Sequence, residues 1–117
     1  MAVVEDDASM LRSIQRLLAV EGFNVEAYES AEAFLGRHST SQVDCMVLDI
    51  QLPKMSGLEL RGRLTTMSSD LPIIFITAIE EEAVRKAAAQ LGCVAYLRKP
   101  FPPETLIAAI SDALGGR

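Results

Sequence analysis

The sequence predicts an α/β fold, a doubly wound three-layer sandwich with a parallel five-stranded sheet between two layers of helices. Two observations predict it. Short apolar runs alternate five times with longer stretches of helical spacing, a (βα)5 order. Two of those runs, Cys45-Met46-Val47-Leu48 and Ile73-Ile74-Phe75-Ile76, are apolar throughout, as strands covered on both faces are.

The elements follow in order. Ala2–Val4 is the first strand and runs into Glu5-Asp6-Asp7. In the helix after it, Met10, Leu11, Ile14, Leu17 and Leu18 recur at three- and four-residue steps, with Asp7 suited to the N-cap and Gly22 to the end. Phe23–Tyr28 is the second strand, and Ser30 caps a short helix through Leu35. Val43–Leu48 is the third strand and ends at Asp49. Ser56-Gly57-Leu58-Glu59 has the capping-box pattern ahead of Leu60 and Leu64. Pro72–Thr77 is the fourth strand; the helix Glu80–Leu91 carries acids in its first turn and stops at Gly92. Val94–Leu97 is the fifth strand, and Pro102-Pro103 opens a helix with Leu106, Ile107, Ile110 and Leu114 along one face. The two fully apolar strands, third and fourth, are expected at the centre. With no internal repeat or linker, residues 1–117 read as one domain, and Gly115-Gly116-Arg117 as the beginning of a tether.

Bulk properties narrow the function classes. A chain of 117 residues, half hydrophobic and 23% charged, is large enough for one core. The net charge is −5 and the 11 basic residues are scattered, so the domain lacks the field that binds nucleic acid; DNA contact would belong to another segment. No apolar run approaches the roughly 20 residues that span a bilayer, and no basic stretch precedes the first strand as in a signal peptide. A cytoplasmic location without membrane contact is the expectation. Cys45 and Cys93 lie in apolar stretches and read as reduced, buried thiols, and with one His they argue against a transition-metal site.

In open doubly wound sheets, ligands bind at the carboxyl ends of the strands. There the chain places Glu5-Asp6-Asp7, Asp49, Thr77, and Tyr96-Leu97-Arg98-Lys99-Pro100. Each alone reads as a loop acid, a helix cap, a strand residue or a surface charge. Together they converge, and converging carboxylates repel unless a cation lies among them. Oxygen ligands without His or Cys suit Mg²⁺, for which Mn²⁺ can substitute. Lys99 and Thr77 then supply a point charge and a donor for a phosphoryl group, and a carboxylate beside such a metal can be the nucleophile.

Four segments carry a resemblance: Val3-Val4-Glu5-Asp6-Asp7, Leu48 through Glu59, Phe75-Ile76-Thr77-Ala78, and Tyr96-Leu97-Arg98-Lys99-Pro100-Phe101. Their spacing resembles the receiver domain of bacterial two-component response regulators, over essentially the whole chain. The resemblance implies a flavodoxin-like sheet in order 2-1-3-4-5. It implies Asp49 as phosphoacceptor, with Lys99 and Thr77 as the phosphate-binding lysine and switch hydroxyl. The metal ligands it implies are Asp6 directly, Glu5 through water, Asp49, and the backbone carbonyl of Gln51. A shift of one residue among the three acids would bring in Asp7. Tyr96 corresponds to a switch aromatic, Lys99-Pro100 to a cis peptide, and Gly57 to a turn glycine. Gln51 and Ile79 flank the path of hydrolytic water. Implied partners are a sensor histidine kinase or phosphotransfer protein, and a homodimer through the fourth helix, fifth strand and fifth helix or through the first and fifth helices. Ala31 to Leu35 and Lys99-Pro100-Phe101 resemble receivers joined to helix-turn-helix output domains.

Such a domain is not an enzyme on an external substrate. Other classes fit less well. An Asp-nucleophile phosphatase needs a second acid at Gln51, and an FMN carrier needs a Ser/Thr/Gly-rich loop where this chain has acids. A receiver-like interaction module that is never phosphorylated shares the fold, but here every required side chain is present.

Overall fold

The computed structural model describes residues 1–37, 43–67 and 69–115; of the tether reading, Gly116 and Arg117 lie outside them. The elements are β1 (Ala2–Val4), α1 (Ala8–Val20), β2 (Glu26–Tyr28), α2 (Ala31–Leu35), β3 (Met46–Asp49), α3 (Gly57–Thr66), β4 (Ile73–Thr77), α4 (Glu82–Leu91), β5 (Ala95–Arg98) and α5 (Pro103–Ala113). All strand pairs are parallel, and the sheet order is β2-β1-β3-β4-β5.

Strand side chains alternate between faces, which makes two cores from one sheet. Val3, Val47, Ile74 and Ile76 pack with Leu11, Ile14 and Leu18 of α1 and Leu106 and Ile110 of α5. Val4, Met46, Leu48, Ile73 and Phe75 pack on the other face with Phe34, Leu60, Leu64 and Ala88 from α2, α3 and α4. Burying each large apolar side chain contributes on the order of 2 kcal/mol, so these layers stabilise the fold and leave the polar strand ends free for chemistry. β3 and β4 are buried throughout, as their composition predicts; β1 is equally buried, because it lies between β2 and β3.

Three expected boundaries move by more than one residue, and β3 is one of them, beginning at Met46 rather than Val43. β2 begins at Glu26 rather than Phe23, since β1 offers only Ala2, Val3 and Val4 for pairing. Phe23 instead closes α1: its N–H donates to Leu18 O while Gly22, at φ +90°, donates to Ala19 O, a glycine-dependent helix stop. α4 begins at Glu82 rather than Glu80. The intervening segment is held elsewhere, with Ala78 bonded to Gln51 and Arg98, and Glu80 paired to Arg98 at 2.5 Å. Cys45 is buried, its thiol pushed up to about 11 chiefly by that burial, whereas Cys93 is only half-buried; both are free.

Candidate functional site

Parallel register sets the depth of the strand ends. Val4 pairs with Leu48, and Asp49 with Ile76, so Glu5, Asp49 and Thr77 follow buried strand residues at nearly one level. All three are almost fully buried. Asp49 Oδ1 accepts from Gln51 N at 3.0 Å, and Glu5 Oε2 accepts from Asp7 N at 3.1 Å. The Lys99 ammonium donates to Glu5 Oε1 at 2.6 Å and to Asp49 Oδ2 at 3.2 Å. The Lys99 N–H donates to Thr77 O at 2.7 Å, and the Lys99–Pro100 peptide is cis. Asp6 is exposed at the rim. Oxygens of Glu5, Asp6 and Asp49 lie within 4.8 Å of one another.

Asp7 is engaged otherwise. It accepts from Ser9 N and Met10 N as the α1 N-cap, so the pocket acids are Glu5 and Asp6.

Burial, followed by the Asp49 contact, holds the Glu5 carboxyl above its ordinary range. Asp6 is also raised, first by partial burial and then by Glu5. Burial alone would lower Lys99; the Glu5 hydrogen bond and the Asp49 charge outweigh it and hold the ammonium above its usual value. One ammonium faces three carboxylates. That imbalance, built entirely from hard oxygens, fits a divalent cation of the Mg²⁺ type.

The Thr77 hydroxyl is bonded to Gln51 and Ile79 rather than to a carboxylate. It donates to Gln51 Oε1 at 2.9 Å and accepts from Ile79 N at 3.1 Å. Gln51 Oε1 also accepts from Ala78 N at 3.1 Å.

Residues 1–111 match the family described as response regulator receiver domain. The chain belongs to that family. It is 34% identical over 112 residues to the response regulator protein TodT of Pseudomonas putida, covering 96% of this chain and 49% of TodT. To the transcriptional regulatory protein FixJ of Bradyrhizobium diazoefficiens it is 35% identical, covering 96% and 55%. Among solved structures, the response regulator StyR superposes with a TM-score of 0.89 at 38% identity, covering 97% of this chain and 58% of that one. FixJ-N gives 0.89 at 31%, covering 99% and 93%. The receiver spans about half the length of the curated relatives it matches.

Three features of this receiver were not foreseen from sequence. The Gln51 side chain holds the loop after β4, although residues 51 and 77 are 26 positions apart and an amide carries no distinctive pattern. Arg98 grips the same loop from outside, through Ala78 O at 3.2 Å and Glu80; its place beside Lys99 at a strand end was the available signal. Gly57 is not a turn residue but the first residue of α3, where a Cβ would lie 2.3 Å from Asp49 O and 2.9 Å from Ile50 Cα. The β3–α3 loop folds back under the pocket, with Lys54 at φ 66° and Gly57 N donating to Ile50 O. Tyr96 is half-buried in β5 with Arg85 over its ring at 5.3 Å, and among the described residues its hydroxyl is buried without a partner.

Proposed function

We propose that Asp49 of this receiver accepts a phosphoryl group from a phosphohistidine of a sensor kinase or phosphotransfer protein, in a Mg²⁺-dependent reaction. The observation that supports it best is the Lys99 ammonium set between two buried acids, Glu5 at 2.6 Å and Asp49 at 3.2 Å. A buried carboxylate with one oxygen on a cation and the other on a backbone N–H is held in a single orientation for attack. Asp49 forms the new P–O bond as the P–N bond to the imidazole breaks. Lys99 then follows the charge from carboxylate to phosphoryl oxygens.

Glu5, Asp6, Asp49 and the Gln51 backbone carbonyl would hold the metal. When bound, Mg²⁺ neutralises the acids and the incoming phosphoryl oxygens, chemistry that one ammonium cannot supply alone. Thr77 and Tyr96 both lead toward the α4-β5-α5 surface, which is the proposed switched face; pairing of two receivers there or through α1-α5 would relay it. FixJ is named a transcriptional regulatory protein, and we infer a DNA-binding output domain for the protein that carries this chain. The location inferred is cytoplasmic; no helix among the described residues is long and apolar enough to cross a membrane.

The test is labelling by acetyl phosphate with Mg²⁺ present. Wild type should incorporate one phosphoryl group, and Asp49→Ala or added EDTA should abolish it. Label retained by Asp49→Ala and mapped elsewhere refutes the nucleophile, and full labelling in EDTA refutes the metal. A wild type that takes no label would favour the unphosphorylated interaction module.

A further inference from the structure

The loop after β4 carries two hydrogen-bond donors at the edge of the pocket, the Thr77 hydroxyl and the Ala78 N–H. Both are occupied by one atom, Gln51 Oε1, at 2.9 and 3.1 Å. The amide orientation is not arbitrary: Ala78 N–H can only donate, so the carbonyl oxygen must face it. Two donors saturate that oxygen. Gln51 is also two residues beyond Asp49 on the loop that begins with Asp49 Oδ1 accepting from Gln51 N. The backbone of Gln51 therefore serves the phosphoacceptor while its side chain holds the switch.

We propose that the Gln51 side-chain amide is a built-in competitor of the phosphoryl group. It mimics one phosphoryl oxygen and caps the two donors that a group on Asp49 has to recruit. This rests on the reading of Asp49 and Thr77 given above. Thr77 is fully buried, so its hydroxyl cannot leave Gln51 for water at no cost, and the other acceptor beside it, Ile79 O, is more distant at 3.3 Å. The two bonds share one acceptor and break together, which couples the hydroxyl to the loop backbone. Arg98 restrains the other side of the same residue through Ala78 O at 3.2 Å. Gln51 is thus a positioning residue that sets how readily the receiver leaves its resting state. Its Oε1 is engaged there and is not free to orient hydrolytic water.

The experiment is a titration with beryllofluoride in saturating Mg²⁺, of wild type, Gln51→Ala and Gln51→Met, each also in a Thr77→Val background. Mg²⁺ affinity is measured alongside, because the Gln51 carbonyl belongs to the metal set. Losing a competitor that makes two hydrogen bonds should tighten beryllofluoride binding about three- to tenfold. With Thr77→Val the gain should shrink to what Ala78 N–H alone contributes. In the unliganded protein the Ala78 amide resonance should move in both Gln51 variants, in the direction that beryllofluoride moves it in wild type. Affinity that is unchanged or weaker overturns the proposal, as does a gain equal in the Val background or fully explained by tighter Mg²⁺. A wild type that binds no beryllofluoride refutes the Asp49 reading and the competitor role that rests on it, whereas binding that the Gln51 variants leave unchanged refutes the competitor role alone.

Discussion

Glu5 and Lys99 stand 94 residues apart in the chain and 2.6 Å apart in the fold. The first strand end and the last strand end thus meet over Asp49, and the pair closes the pocket from both sides of β3. Glu5 is wholly buried and the Lys99 side chain only 14% exposed, which makes the contact costly to break, most of all from the Glu5 side.

Lys99→Met should therefore destabilise the metal-free protein by about 3 kcal/mol, because it leaves buried acids without a cation. Added Mg²⁺ should recover part of the loss. Urea unfolding in EDTA and in Mg²⁺ measures both, and equal stability of variant and wild type in EDTA would show the ion pair to be idle.

Binding of the metal should depend on pH in a direction set by the raised carboxyls. Glu5 and Asp6 both hold protons more tightly than ordinary carboxyls, first through burial. A cation must displace those protons, so Mg²⁺ affinity should fall as pH falls, starting above the usual carboxylate range, by about tenfold per pH unit for each proton displaced. In the metal-free protein the sign reverses. A raised folded-state value gives stability that is greatest at low pH and is lost as pH rises through it. Calorimetry in buffers of different ionisation enthalpy reads the proton release, and none above the ordinary carboxylate range would contradict the assignment.

Two glycines of α3 should respond oppositely to alanine. At Gly57 a Cβ meets the Asp49 carbonyl oxygen at 2.3 Å, backbone that cannot swing aside, and the expected loss is about 2–3 kcal/mol. At Gly62 a Cβ meets nothing within 4 Å, and Gly62→Ala should stabilise by about 0.5–1 kcal/mol through helix propensity. Denaturation midpoints of the two variants decide it.

Ile79 concerns the lifetime of the phosphoryl group. It lies two residues past Thr77 and is 41% exposed, and the resemblance to receivers sets it beside the path of hydrolytic water. Ile79→Ala should speed loss of phosphate severalfold without preventing its formation. Decay of purified phosphoprotein, with donor removed, is the measurement; unchanged decay would place control of access elsewhere.

Much of this was legible in the sequence for a physical reason. Strand and helix periods are written in the same apolar residues that form the two cores, so Met46–Leu48, Ile73–Ile76 and the Leu11, Ile14, Leu18 face announced their elements. Boundaries were less legible because partners set them: β2 is as long as β1 allows, and α4 starts where Gln51 and Arg98 release the chain. The acids, Thr77 and Lys99 could be named from strand ends. The Gln51 amide could not, since the hydroxyl it accepts from lies 26 positions along the chain and an amide carries no distinctive pattern.

The close seat of Gly57 has a mechanical consequence. α3 rests directly on the backbone of Asp49, with no space for a methyl group, so the floor of the pocket is stiff. The opposite wall hangs on side-chain contacts from Gln51 and Arg98. A pocket with one stiff and one compliant wall converts any swelling at its centre into displacement in one direction. Under the function proposed, α3 is the fixed frame against which α4 travels, and a partner docked on α3 alone would be nearly blind to the state of Asp49.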